Sequence, residues 1–160
     1  MSESTLPIGF TQEAFDAFIA SRNEPGWLTD MRHSAWKHFS DLPMPSRRDE
    51  EWMRTDIRLF RMDRFREPEK NPGENLPHAI LGGEIEVAGM MTSKNSQSLG
   101  TQLDPALAAQ GVLFGDLESM VCEHADLIQP HLMSRAVDPL YDKFSALHGA
   151  FWRGGTLLYV

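Results

Sequence analysis

At 160 residues the chain is sized for one domain, or for one domain and a fragment of a second. Hydrophobic residues make up 41% and charged residues 24%, ordinary proportions that exclude wholesale disorder. A net charge of −8 and an isoelectric point near 5.2 give no broad basic footprint, so neither a nucleic-acid backbone nor an anionic membrane is expected as a partner. No apolar run approaches the roughly 20 residues that a bilayer span requires. Met1-Ser2-Glu3-Ser4-Thr5 lacks the basic and apolar regions of a secretory signal. Cys122 is the only cysteine, which excludes an internal disulfide and a cysteine-rich metal centre. The chain reads as cytoplasmic.

Thr11, between Phe10 and Gln12-Glu13-Ala14-Phe15, is placed as an N-cap with an apolar residue just outside it. Phe15, Phe18 and Ile19 then repeat at helical spacing and predict a first helix to about Ser21. Pro25 opens a second helix, where its missing N–H costs nothing. Trp27, Leu28, Met31, Ala35, Phe39 and Leu42 give that helix an apolar face, and Trp36 broadens it. Pro43 and Pro45 end it.

Ser46 is placed to cap a third helix. Asp49, three residues on, approximates a capping box, and Asp49, Glu50 and Glu51 put negative charge at the positive end of the helix dipole. This helix is expected to carry Trp52 into the core formed by Phe18, Trp27, Leu28, Met31 and Phe39, each side chain contributing about 1.5–3 kcal/mol before entropy. Arg47, Arg48, Arg54, Arg58, Arg61, Arg64 and Arg66 interleave with Asp49, Glu50, Glu51, Asp56, Asp63 and Glu67, which predicts an ion-paired helical surface.

From Glu67 to Asn75 the composition is that of a loop. Glu84-Ile85-Glu86-Val87-Ala88 alternates polar and apolar, as a half-buried strand does. Ser93–Thr101, rich in Ser, Asn, Gln and Gly, is expected to be a mobile loop. Gly111-Val112-Leu113-Phe114-Gly115 predicts a second strand, to be paired with the first because a lone strand cannot satisfy its backbone groups. Asp116 caps a helix carrying Leu117, Met120 and Val121. The helical piece Asp126–Leu132 is broken at Pro130, and Asp138-Pro139 lies in a connector. Lys143–Trp152 is a helix with Phe144, Leu147 and Phe151 on one face, stopped by Gly154-Gly155. Thr156–Val160 has the β-propensity of a strand. An apolar strand there with nothing after it to cover its edge either docks back onto the small sheet or, the reading favoured here, marks a chain truncated at the entrance of a larger β-domain, with this strand poorly anchored or paired between molecules.

Cys122-Glu123-His124 with His131 is the one cluster of metal-ligand types, suited by chemistry to zinc or an iron–sulfur cluster. On a continuous helix Cys122 and His124 point about 200° apart, so Cys122 reads as a small apolar structural residue. His33 and His38, five apart, miss the spacing that puts two ligands on one helix face and read as surface residues. Trp27, Trp36, Trp52 and Trp152 at helical spacing beside Phe and Leu read as core rather than as a flavin platform. Gly82-Gly83 and Gly154-Gly155 form no phosphate-binding pattern, and no nucleophile motif is present. The residues point to a protein that is not an enzyme.

The string Leu42-Pro43-Met44-Pro45-Ser46-Arg47-Arg48-Asp49-Glu50-Glu51-Trp52-Met53-Arg54-Thr55-Asp56 is far rarer than a good helix start. It resembles the N-terminal region of the SufB/SufD family, its SufD branch in particular. The similarity extends to Glu24-Pro25-Gly26-Trp27-Leu28, Gly111–Leu117 and Lys143–Thr156, and is weak over Pro68–Leu103. His148 stands where the family pattern has Asn. The resemblance implies a scaffold subunit of the SUF iron–sulfur cluster assembly complex. In the full-length complex it implies SufB as partner through a right-handed β-helix, the ATPase SufC as partner through C-terminal helices, and a nascent cluster at the SufB–SufD interface. None of those ligand positions maps onto this sequence, so the resemblance transfers no catalytic, cofactor-binding or metal residue.

The expected architecture is α+β, mainly α. Residues 1–67 form a helical segment, 68–142 a loop-rich α/β part of the same domain, and 143–160 a junction helix with the first strand of a β-helix core. The expected function is iron–sulfur cluster assembly as the N-terminal part of a SufD-like scaffold. A free-standing helical interaction module, and a small metal-binding protein using Cys122, His124 and His131, are the alternatives.

Overall fold

Helix α1 (Gln12–Ala20) begins where expected, with the Thr11 hydroxyl accepting the Ala14 N–H at 3.2 Å. Helix α2 (Gly26–Asp41) follows Pro25 and ends before Pro43. The computed structural model describes residues 7–68 and 86–160, and among them the fold is mainly α with two small antiparallel sheets. The described residues divide into two compact units. One comprises the chain up to Glu67 together with Pro130–Trp152, the other Pro68–Gln129 together with Arg153–Val160.

The core of the first unit is not closed by a third N-terminal helix. The segment after Ser46 makes only a 3-10 turn, Glu50–Trp52. The capping bonds themselves form: the Asp49 carboxylate accepts the Ser46 N–H at 2.7 Å, and the Ser46 hydroxyl accepts the Arg48 N–H at 3.2 Å. The turn they start is not propagated: a 3-10 turn follows, and then Thr55 and Asp56, residues of low helix propensity. A second 3-10 turn, Met62–Arg64, carries the chain onward, so the arginine-rich stretch is not helical, and within it Arg58 and Arg61 are ion-paired.

The third core helix is α6 (Lys143–Phe151), more than a hundred residues away in sequence. Asp142 and Ser145 form its capping box. Phe15, Ala35, Trp36, Phe39, Ala146 and Ala150 are buried together, with Phe151 and Leu147 packed against them. Leu28 and Phe18 are also buried, whereas Trp27, Met31 and Trp52 are half-buried. The small residues Ala146, Gly149 and Ala150, rather than the Phe144 face, are the fully buried side of α6 and let it approach α2 closely.

A Cβ at Gly149 would lie 2.7 Å from Pro139 Cβ and 3.0 Å from Ala35 Cβ. Gly149→Ala is therefore expected to lower stability by about 1–3 kcal/mol through overpacking, exceeding the helix-propensity gain of about 1 kcal/mol. A lower urea midpoint checks this, and an unchanged midpoint means that Pro139 gives way.

In the second unit the expected strand Glu84–Ala88 falls partly outside the described residues, and Glu86–Ala88 is not strand. The strand β1 is Gly89–Lys94, and β2 is Gln97–Leu103. They form a hairpin pairing Gly89 with Leu103 and Lys94 with Gln97, so Ser93–Thr101 is not a loop. Asn95 and Ser96 both have positive φ (51° and 62°), the two-residue turn whose twist suits a hairpin. The polar composition serves the outer faces of a ribbon. A short helix missed by periodicity, α3 (Pro105–Ala109), is capped by Asp104 with Pro at its first position.

Strand β3 (Leu113–Asp116) pairs antiparallel with β4 (Thr156–Tyr159), Leu113 opposite Tyr159 and Asp116 opposite Thr156. It does not pair with the first strand, and β4 is anchored within this chain, contrary to the expectation of a loose or intermolecular strand. Gly154 and Gly155 (φ 67° and 136°) make the turn into it, and Gly155 O accepts the Leu117 N–H at 3.0 Å. Helix α4 (Leu117–Glu123) is capped by Asp116 as expected, and α5 (Ala125–Ile128) stops short of Pro130.

Candidate functional site

Arg32 stands four residues after Leu28 and three before Ala35, at the centre of the apolar stripe of α2. Its side chain is fully buried. The guanidinium grips both oxygens of Glu24, Nε at 2.7 Å and Nη2 at 2.9 Å. Through Nη1 it donates to the carbonyls of Ala150 and Trp152, each at 3.1 Å, at the C-terminal end of α6. The cation lies between the Phe18 ring (5.1 Å) and the Trp152 ring (4.7 Å). Arg22 joins the same carboxylate at 2.9 Å and covers Phe18 from 4.2 Å.

Lys143 makes the opposite connection. From the start of α6 its ammonium donates to the Phe39 and Leu42 carbonyls at the C-terminal end of α2, at 2.6 and 2.5 Å, and sits 4.1 Å from the Phe39 ring. Burial pushes its pKa below the usual lysine value. Each of the two antiparallel helices thus has its carbonyl end held by a cation from the other, where the dipole favours positive charge. The chemistry is that of a clamp: fixed ion pairs and capped carbonyls that hold chain segments in place. Neither cation was singled out from the sequence. The signal for Arg32 was its place in an apolar stripe with a carboxylate eight residues earlier; for Lys143 there was none.

The rare string Leu42–Asp56 and the residues after it form an exposed segment of this unit. Trp52 lies against Phe144 of α6 (ring centroids 5.2 Å), Phe144 against Phe60 (5.9 Å), and Phe60 against Phe65 (5.2 Å). The Tyr141 hydroxyl donates to Glu51 at 3.0 Å, which raises its pKa. Asp56 takes both bonds of Arg58, and Asp63 those of Arg61. Those hydrogen bonds hold the Asp56 carboxyl far below the usual carboxylate range and lower that of Asp63.

The residues weighed for metal chemistry fall in both compact units. Cys122 is exposed on α4, near the Glu118 carbonyl at 3.7 Å. His124 ends that helix in a non-helical conformation, so the helix breaks there. His131 belongs to the other compact unit. Among the described residues no group of three or more His, Cys, Asp or Glu is placed to hold a metal ion. His33 is exposed, its Nδ1 2.8 Å from the Thr29 carbonyl and its ring edge-on to Phe15. Trp36 is core, its indole N–H donating to Gln12 at 2.6 Å. Gly82-Gly83 lies outside the described residues. No described helix is long and apolar enough to cross a membrane.

Residues 12–160 match the protein family described as the SufBD protein N-terminal region. The iron–sulfur cluster assembly protein SufB of Bacillus subtilis is 28% identical over 168 residues, covering 95% of this chain and 35% of that protein. SufD of the same organism is 28% identical over 152 residues, covering 93% and 35%. A SufBD family protein of Mycobacterium tuberculosis, also described as an iron–sulfur cluster assembly protein, is 30% identical over 171 residues, covering 95% and 19%. The chain spans about a third of the length of the SufB and SufD relatives.

Proposed function

The chain belongs to the SufBD protein N-terminal region family, and from that membership we propose that it is the N-terminal part of a scaffold subunit acting in iron–sulfur cluster assembly. The single observation carrying this reading is the reach of the family match, Gln12 to Val160, through both compact units. A scaffold that catalyses no reaction itself agrees with the clamp of Arg32 and Lys143, whose polar groups hold helix ends. The finer assignment, to SufD with SufB and SufC as partners, is supported by the Leu42–Asp56 string. Relatives named SufB and SufD are equally similar in identity, so that assignment rests on the string alone. The cluster belongs, in this reading, to the assembled complex and to no residue of this chain.

Deleting the gene is expected to slow maturation of iron–sulfur enzymes under iron limitation, and restoring it to reverse the defect. Unchanged enzyme maturation overturns the assembly reading. For the finer assignment, the full reading frame carrying an affinity tag is expected to purify with both SufB and SufC of its host. Purification with SufD in place of SufB would reassign it to the SufB branch.

A further inference from the structure

The segment from Met44 to Arg66 combines three features that its fold does not use. Its apolar side chains stand in solvent: Leu59 is 87% exposed, Met53 50%, Phe65 48% and Phe60 43%. Its backbone is nevertheless held, by two 3-10 turns, the ring contacts of Trp52 and Phe60 with Phe144, and a bond from Gly9 N–H to Phe65 O at 2.7 Å. Of its arginines, Arg58 and Arg61 are neutralised by Asp56 and Asp63. Arg48, Arg54 and Arg64 are exposed and make no ion-pair contact shown among the described residues, although, beyond the Arg61 hydrogen bond, Arg64 also lowers the pKa of the neighbouring Asp63 through its field. Arg54 directly follows Met53, and Arg64 directly precedes Phe65.

We propose that this segment is a docking surface for an acidic amphipathic segment of a partner protein. Charge selects the occupant. Residues 47–66 hold seven arginines against five carboxylates, a net +2 on a chain of net −8. A nucleic acid would satisfy the arginines but brings no aliphatic side chain to cover Leu59 and Met53. A second copy would bring the same net positive charge to the interface. A protein segment alternating apolar side chains with carboxylates satisfies both halves of the surface: its apolar residues cover Leu59, Phe60 and Phe65, and its carboxylates reach Arg54 and Arg64. Held aromatic anchors beside arginines are the composition that concentrates binding energy in protein interfaces. The proposal goes beyond the assembly reading and does not rest on it.

The test measures fluorescence anisotropy of the full 160-residue chain against three labelled probes. They are a helix-forming glutamate–leucine peptide, a lysine–leucine peptide of equal length, and an oligouridylate. The glutamate–leucine peptide is expected to bind saturably, with binding weakened roughly tenfold or more by Arg54→Glu/Arg64→Glu and similarly by Leu59→Ser/Phe60→Ser. Circular dichroism and the urea midpoint check that both variants remain folded, and a single exchange, Leu59→Ser, replaces the second variant if it does not. Absence of saturable binding, equal binding of both peptides, preference for the RNA, or affinity untouched by the variants overturns the proposal. Dimerisation of the free chain that Arg54→Glu/Arg64→Glu abolishes would overturn it in favour of a second copy.

Discussion

Arg32→Met is expected to lower folding stability by about 3–5 kcal/mol, the range for breaking one side of a buried ion pair. The methionine fills much of the space, so the loss is electrostatic rather than a cavity. The Glu24 side chain, 4% exposed, would keep, among the described residues, its contact with Arg22. The carbonyls of Ala150 and Trp152 would lose the donor that now meets them at 3.1 Å. Arg32→Lys keeps the charge but not the fork that serves two carboxylate oxygens and two carbonyls at once, so it is expected to fall between the two.

Tryptophan fluorescence in a urea titration is the right readout. Trp27, Trp36, Trp52 and Trp152 all belong to the unit that contains Arg32, and the signal therefore reports that unit. A loss under about 1 kcal/mol would mean that water replaces the guanidinium readily, and the clamp would have no energetic standing.

Phe15→Ala is expected to cost about as much, 3–5 kcal/mol, for a different reason. The ring is fully buried. It stacks on Trp36 at 4.9 Å and 10°, and meets Phe151 edge-on at 5.7 Å and 72°. Truncation removes one ring of a mutually packed three-ring cluster that joins α1, α2 and α6, and the remaining helices cannot collapse fully into the gap. Phe15→Leu, nearer in volume, should cost under about 1.5 kcal/mol. The pair separates volume from aromatic geometry: if both variants melt alike, the stacking contributes most of the effect. Thermal melts followed by near-ultraviolet circular dichroism check it, because the rings about Trp36 supply that signal.

The parts of this protein that could be read from the sequence are those whose partners lie within a few residues. Thr11 and Asp116 cap α1 and α4 through bonds spanning three residues, and Pro25 and Pro43 bound α2 by backbone geometry alone. The family resemblance was legible for the same reason, being carried by a contiguous string. Where a local signal was necessary but not sufficient, it misled: Ser46 and Asp49 form their capping bonds, yet only a 3-10 turn follows.

Tertiary structure decided the rest. That α6 completes the core of α1 and α2, and that β3 pairs with β4 rather than with the first strand, depends on partners far apart in sequence. Arg32 meets Ala150 and Lys143 meets Phe39 across more than a hundred residues. A cation in an apolar stripe is favourable only when a buried carboxylate or helix end arrives to meet it. Periodicity marks the face of a helix that will be buried, but the element that buries it is chosen by shape and charge elsewhere in the chain.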